Sequence, residues 1–160
     1  MIVDCHCHLR PVGAYSNFPI LSDINAYLDL QAKAGIDVSM FSSPMFLGAN
    51  ENKDRNDLRV AQEFNEFAAN TTTKHGEHLQ GMAAANPMGS DAELKEIERG
   101  VREYGLKGIF ANTSVRGEYL DSPRAERFWQ LVEDLDVPVF LHPPDVTLAA
   151  DKMQEWRLIE

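Results

Sequence analysis

Residues 137–144 read VPVFLHPP, an apolar run that ends in a histidine and then in two prolines. Valine, phenylalanine and leucine over this length read as a short strand, and Pro143-Pro144 stops it. His142 therefore sits at the C-terminal end of a strand. In parallel α/β proteins ligands collect at that end of the sheet, so the fold turns on which other strand ends lie beside it.

Working outward, the chain alternates strand and helix. Before the quoted run, Ser122-Pro123 starts a helix with Phe128, Leu131, Val132 and Leu135 facing inward. Leu106–Thr113 reads as a strand, and before it Ser90 and Glu93 form an S-x-x-E capping box for a helix with the stripe Leu94, Ile97, Val101 and Tyr104. Leu79–Asn86 is a strand stopped by Pro87. It follows a long helix in which Val60, Phe64, Phe67 and Ala68 recur at helical spacing. Asp37–Ser42 is a strand behind a helix capped by Ser22 or Asp23, carrying Ile24, Tyr27 and Leu28 and ended by Gly35. The tail, 148–160, reads as helix. Repeated β-α order demands parallel strands covered by helices. No linker, low-complexity tract or composition break divides residues 1–160, which are expected to form a single domain.

The first strand lies in MIVDCHCHLR, residues 1–10. Strict alternation puts Asp4, His6 and His8 on one face and Val3, Cys5, Cys7 and Leu9 on the other. All four histidine and cysteine side chains cannot then grip one ion. The candidate site is the histidine pair, and the cysteines are small apolar residues packing the other way. Two residues apart on an extended strand, Cys5 and Cys7 are poorly placed for a disulfide, and two free thiols fit a reducing compartment.

Two folds compete for this pattern. A five-stranded doubly wound sheet would be complete at 160 residues, whereas an eightfold barrel needs about 250. In the doubly wound order 2-1-3-4-5, however, the fifth strand lies at the far edge and His142 cannot reach the first. In a barrel the first and fifth strands face each other across the lumen, and His6, His8 and His142 converge. The expectation is a partial (β/α)8 TIM barrel covering the first five β/α units, with the chain stopping before the barrel closes.

Fifteen basic against twenty-five acidic residues give a net charge of −10, which disfavours nucleic acid and anionic membrane surfaces. No apolar run approaches the roughly 18 residues that span a bilayer, and the chain starts without a signal sequence. A cytoplasmic location is expected.

The D-x-H-x-H of Asp4, His6 and His8, the stretch GLKGIFANTS at 105–114 and VPVFLHPP together resemble the amidohydrolase superfamily. The closer resemblance is to its amidohydrolase-related (type two) branch, which includes aminocarboxymuconate-semialdehyde decarboxylase. That resemblance implies that His6, His8 and His142 bind one divalent ion, zinc or manganese. It also implies an aspartate ligand and a proton-transfer histidine beyond residue 160. The implied activity is nonoxidative decarboxylation of an aromatic or unsaturated carboxylic acid, with a small-molecule acid as substrate and a homo-oligomer as one assembly. Hydrolysis of a lactone or amide, and an inactive fragment or scaffold, are the alternatives. Other branches use a carboxylated lysine from the fourth strand, but Lys107 lies at the wrong end of its strand, so a single-ion centre is expected.

Other residues carry two readings each. Asp4 either supports the second nitrogen of a histidine ligand or caps a polar layer. Arg10, Phe46, Asn112 and Arg116 lie on or after C-terminal strand ends, where substrate contacts are made, or are solvated loop residues. His75 and His78 precede the third strand and are read as surface residues, and 82–85 as core.

Overall fold

The computed structural model describes residues 1–13, 19–43, 47 and 56–143. Phe46 and the expected tail helix at 148–160 lie outside the described residues.

Four helices form where the caps and stripes place them. Helix α1 (Ile24–Ala34) is capped by Asp23, whose carboxylate accepts from the Ala26 amide, and is closed by Gly35 at φ 71°. Helix α2 (Asp57–His75) starts at Asn56, whose side chain accepts from the Arg59 amide. The capping box of Ser90 and Glu93 opens α3 (Asp91–Arg102) with both reciprocal bonds made. Before α4 (Glu126–Leu135) comes a 3₁₀ turn, Pro123–Ala125, capped by Ser122. No helix among the described residues is long and apolar enough to cross a membrane.

The strands run parallel and in consecutive order. Strands β1 (Val3–His8), β2 (Val38–Ser42) and β3 (Leu79–Gly81) form one sheet. Strand β4 (Ala83–Ala84) forms a second with β5 (Ile109–Asn112) and the last strand, Val139–His142. The expected single strand at 79–86 is thus two pieces broken at Met82. The first pairs with β2 and the second with β5, and the Met82 amide still donates to the Phe41 carbonyl at 2.9 Å. Because β1 pairs with β2 and β2 with β3, the 2-1-3-4-5 order of a doubly wound sheet is excluded. No closed barrel is formed among the described residues.

Residues 114–119, outside every expected element, form an antiparallel hairpin of β6 (Ser114–Val115) and β7 (Glu118–Tyr119). Arg116 and Gly117 both have positive φ, 50° and 81°, which is the signature of the I′ turn that joins two-residue hairpins. The final strand, Val139–His142, is β8.

Apolar side chains fill the space between strands and helices. Leu9, Phe41, Phe64, Ala68, Leu79 and Leu106 form one buried cluster, and Ile97, Ile109, Ala111 and Phe128 belong to another. Gly81 is required by close approach. A Cβ there would lie 3.0 Å from Ala68 Cβ and 3.0 Å from Leu106 Cδ2, so α2 settles directly on β3. Polar groups are buried within this packing, and Asn65 is one that spans it. Asn65, fully buried, accepts from the Ala84 amide at 2.9 Å and donates to Glu96 at 3.0 Å. It satisfies a backbone N–H that the break at Met82 removes from the ladder.

Candidate metal centre

Strand β1 is not regular. Asp4 pairs with Ser39 and Cys7 with Phe41, so a three-residue step on β1 faces a two-residue step on β2. This is a bulge, and it inverts the alternation between Asp4 and Cys7. Asp4 consequently sits on the helix side of the strand, where its Oδ2 lies 3.5 Å from the Tyr27 hydroxyl. Its Oδ1 accepts from the His6 amide at 3.0 Å. The expectation that Asp4 shares the histidine face is corrected by this bulge, and its carboxylate is engaged with an amide and a phenol rather than with an imidazole.

Cys7 and Leu9 face the core as expected, whereas Cys5, expected to pack with them, is exposed; both cysteines are free. The Cys7 thiol lies 3.6 Å from the Met40 carbonyl. Burial pushes its pKa up to about 11, against a hydrogen bond with Tyr27 that lowers it.

On the other face, the ligand atoms of His6, His8 and His142 all lie within 4.8 Å of one another. The His6 and His8 Nε2 atoms are 3.2 Å apart. Two nitrogens bound to one tetrahedral zinc at about 2.0–2.1 Å would be separated by about 3.3 Å. The His6 and His142 rings meet at 4.9 Å and those of His8 and His142 at 5.6 Å, although they come from the first and last strands of the series.

Each ring is held. The Nδ1 of His142 lies 2.7 Å from the Pro143 carbonyl, an acceptor only, so that nitrogen carries the hydrogen and leaves the other as a lone pair. His6 stacks on Phe140 at 4.8 Å, and Phe110 lies edge-on to His8 at 5.9 Å. His8 Nδ1 is 3.0 Å from the Ser42 hydroxyl.

Burial and mutual repulsion oppose protonation of the two first-strand rings. Burial lowers the pKa of His8 to about 4, with repulsion from His6 and His142 adding to it and hydrogen bonds to the backbone of Ser42 and Ser43 opposing it. His6 is lowered by burial and by His142, and raised by Asp4. Three imidazoles converging on one point are the donor set that a borderline divalent cation takes, so the residues present fit such an ion.

The chain matches the profile of the Amidohydrolase family over residues 3–159. It belongs to that family. It is 36% identical over 95 residues to gamma-resorcylate decarboxylase of Rhodococcus jostii, covering 54% of this chain and 29% of that protein. It is 24% identical over 123 residues to 2-amino-3-carboxymuconate-6-semialdehyde decarboxylase of Dictyostelium discoideum, covering 77% and 34%. Among solved structures, 5-carboxyvanillate decarboxylase from Novosphingobium aromaticivorans, complexed with manganese and 4-hydroxy-3-methoxy-5-nitrobenzoic acid, aligns with a TM-score of 0.74 at 25% identity. That alignment covers 84% of this chain and 39% of the other. The chain thus spans about a third of the length of these two curated relatives.

The other candidate residues separate in this amidohydrolase chain. Asn112 is buried at the end of β5, in register with His142, and donates to the Leu47 carbonyl at 2.9 Å. Arg10 is 3% exposed, and its amide donates to the Leu21 carbonyl at 3.0 Å. The solvated-loop reading is therefore excluded for both. Arg116 is exposed at the hairpin tip. His75 and His78 lie at the opposite end of the strands from the cluster, as expected from sequence. Ser42 was not legible as a site residue. Its signal lies in the register that pairs it with His8 across β1 and β2.

Proposed function

We propose that this chain is the front part of a (β/α)8 barrel, a single domain whose remaining strands follow the described ones, and that it builds most of the metal centre of a nonoxidative decarboxylase. The observation that carries this reading is the convergence of His6, His8 and His142 from β1 and β8. In this reading the three imidazoles hold one divalent ion, zinc or manganese, and manganese accompanies an aromatic acid in a solved relative. Such an ion supplies a Lewis acid that anchors a carboxylate or phenolate oxygen.

The chain's own residues do the rest of the work assigned to it. Neutral His6 and His8 offer lone pairs at pH 7 because burial opposes their protonation. Phe110 and Phe140, packed against the histidines, give the rings an apolar backing that limits how they can turn. Arg10, Asn112 and Arg116, with Phe46 outside the described residues, are assigned to substrate contacts. Asp4 acts indirectly, by holding the backbone of His6. The substrate is an aromatic or unsaturated carboxylic acid, the location is cytoplasmic, and the groups that transfer the proton are placed beyond residue 160.

Metal content of the wild-type chain, His142→Ala and His75→Ala tests the centre. The expected result is about one ion in the wild type and in His75→Ala and none in His142→Ala; retention in His142→Ala refutes it. Carbon dioxide release from hydroxybenzoates and muconate-type acids by the longer protein tests the chemistry, and turnover confined to lactones or amides makes it a hydrolase.

A further inference from the structure

We infer that Ser42 is a positioning residue for His8, fixing which ring nitrogen faces the ion; the inference rests on the metal-centre reading above. Ser42 ends β2, is fully buried, and is in register with His8. Its hydroxyl has one hydrogen, which it donates to the Cys7 carbonyl at 3.4 Å. A carbonyl can only accept, so this assignment leaves Ser42 Oγ as an acceptor for His8 Nδ1 at 3.0 Å. Together with the hydrogen bonds that the backbone of Ser42 and Ser43 makes to the same ring, this contact holds His8 with hydrogen on Nδ1 and a bare lone pair on Nε2.

The neighbouring contact is consistent with that state. His8 Nε2 lies 3.2 Å from His6 Nε2, so in the ion-free chain a bare His8 Nε2 accepts from His6, and a bound ion would take the place of that hydrogen as His6 shifts to its other tautomer. Without the hydroxyl the ring keeps only its backbone partners at residues 42 and 43, and the usual preference of imidazole for hydrogen on Nε2 then turns an N–H toward the point where the three rings converge. The hydroxyl also ties the ring to its own strand through the Cys7 carbonyl, so loss of Ser42 frees both the tautomer and the ring angle. Groups that orient a metal-bound histidine in this way typically hold 10–100-fold of metal affinity.

Long-range proton–nitrogen correlation spectra of the histidine-labelled, ion-free chain at neutral pH give the tautomer of His8 directly. The expected result is hydrogen on Nδ1 in the wild type and on Nε2 in Ser42→Ala. Zinc titration against a competing chelator should show affinity reduced about 10–100-fold in Ser42→Ala. Hydrogen on Nε2 in the wild type overturns the inference, as does a Ser42→Ala variant whose tautomer or zinc affinity is unchanged. A wild-type chain that binds no zinc overturns the metal-centre reading instead, while the wild-type tautomer still decides the part played by Ser42.

Discussion

Replacing Asn65 with alanine removes the side chain that joins α2, α3 and β4. Its amide oxygen takes the Ala84 N–H at 2.9 Å and its amide nitrogen serves Glu96 at 3.0 Å, both in a buried setting. A buried N–H left without an acceptor costs about 1–3 kcal/mol. Glu96 keeps Arg99 at 2.9 Å through its other oxygen, so its loss of one donor costs less, about 1 kcal/mol. The expected destabilisation is about 2–4 kcal/mol, a large share of a typical domain's 5–15 kcal/mol. At about 2–4 °C per kcal/mol for a chain of this size, the melting midpoint should fall by roughly 5–15 °C. Urea and thermal melts followed by circular dichroism measure it. Glu96→Gln is the companion variant, because glutamine still offers Asn65 an acceptor and loses only the ion pair with partly exposed Arg99; it should cost about 1 kcal/mol. A loss below about 0.5 kcal/mol in Asn65→Ala, or a larger loss in Glu96→Gln than in Asn65→Ala, would refute the argument that Asn65 compensates the strand break at Met82.

Two other outcomes follow from the first strand. His8 has a folded pKa of about 4, below its ordinary value of 6.5, so its contribution to stability is present above pH 6.5 and is lost as pH falls toward 4. Urea melts of the ion-free chain between pH 7 and 4 should therefore fall more steeply in the wild type than in His8→Gln, and parallel curves would contradict the assignment. Cys5 is exposed while Cys7 is raised to about 11, so at pH 8 a thiol reagent should label one cysteine rapidly. Cys5→Ser should abolish that fast phase, and a fast phase surviving in it would show that the half-buried Cys7 is more reactive than its raised pKa implies.

Much of the architecture could be read from local signals. The capping box at Ser90, the αL glycine at Gly35 and the helical stripes on α2 and α3 are short-range features, and each formed where its residues place it. The convergence of His8 with His142 was also legible, because strand order and the parity of a histidine at a strand end are both written in the sequence. Tertiary context decided the rest. Asp4 was misplaced because alternation assumes a regular ladder, and a bulge depends on the partner strand rather than on β1 itself. The hairpin at 114–119 escaped because its turn is Arg-Gly instead of the usual Asn-Gly or Asp-Gly. Ser42 and Asn65 look unremarkable in sequence, since a serine at a strand end and an asparagine within a helix acquire their meaning only from the group each one meets across the fold.

The irregularity in β1 also bears on how this sequence should be aligned with others. Counting Cys5 and His6 as one position of the ladder leaves Asp4, Cys7 and Leu9 toward the helices and His6 and His8 toward the histidine cluster. Cys5 is thus supernumerary: a homologue lacking it could pair β1 with β2 residue for residue and keep every other side chain on the same face. A one-residue gap at Cys5 is therefore neutral for the histidine pair, whereas the same gap placed between His6 and His8 would throw one imidazole out of the cluster.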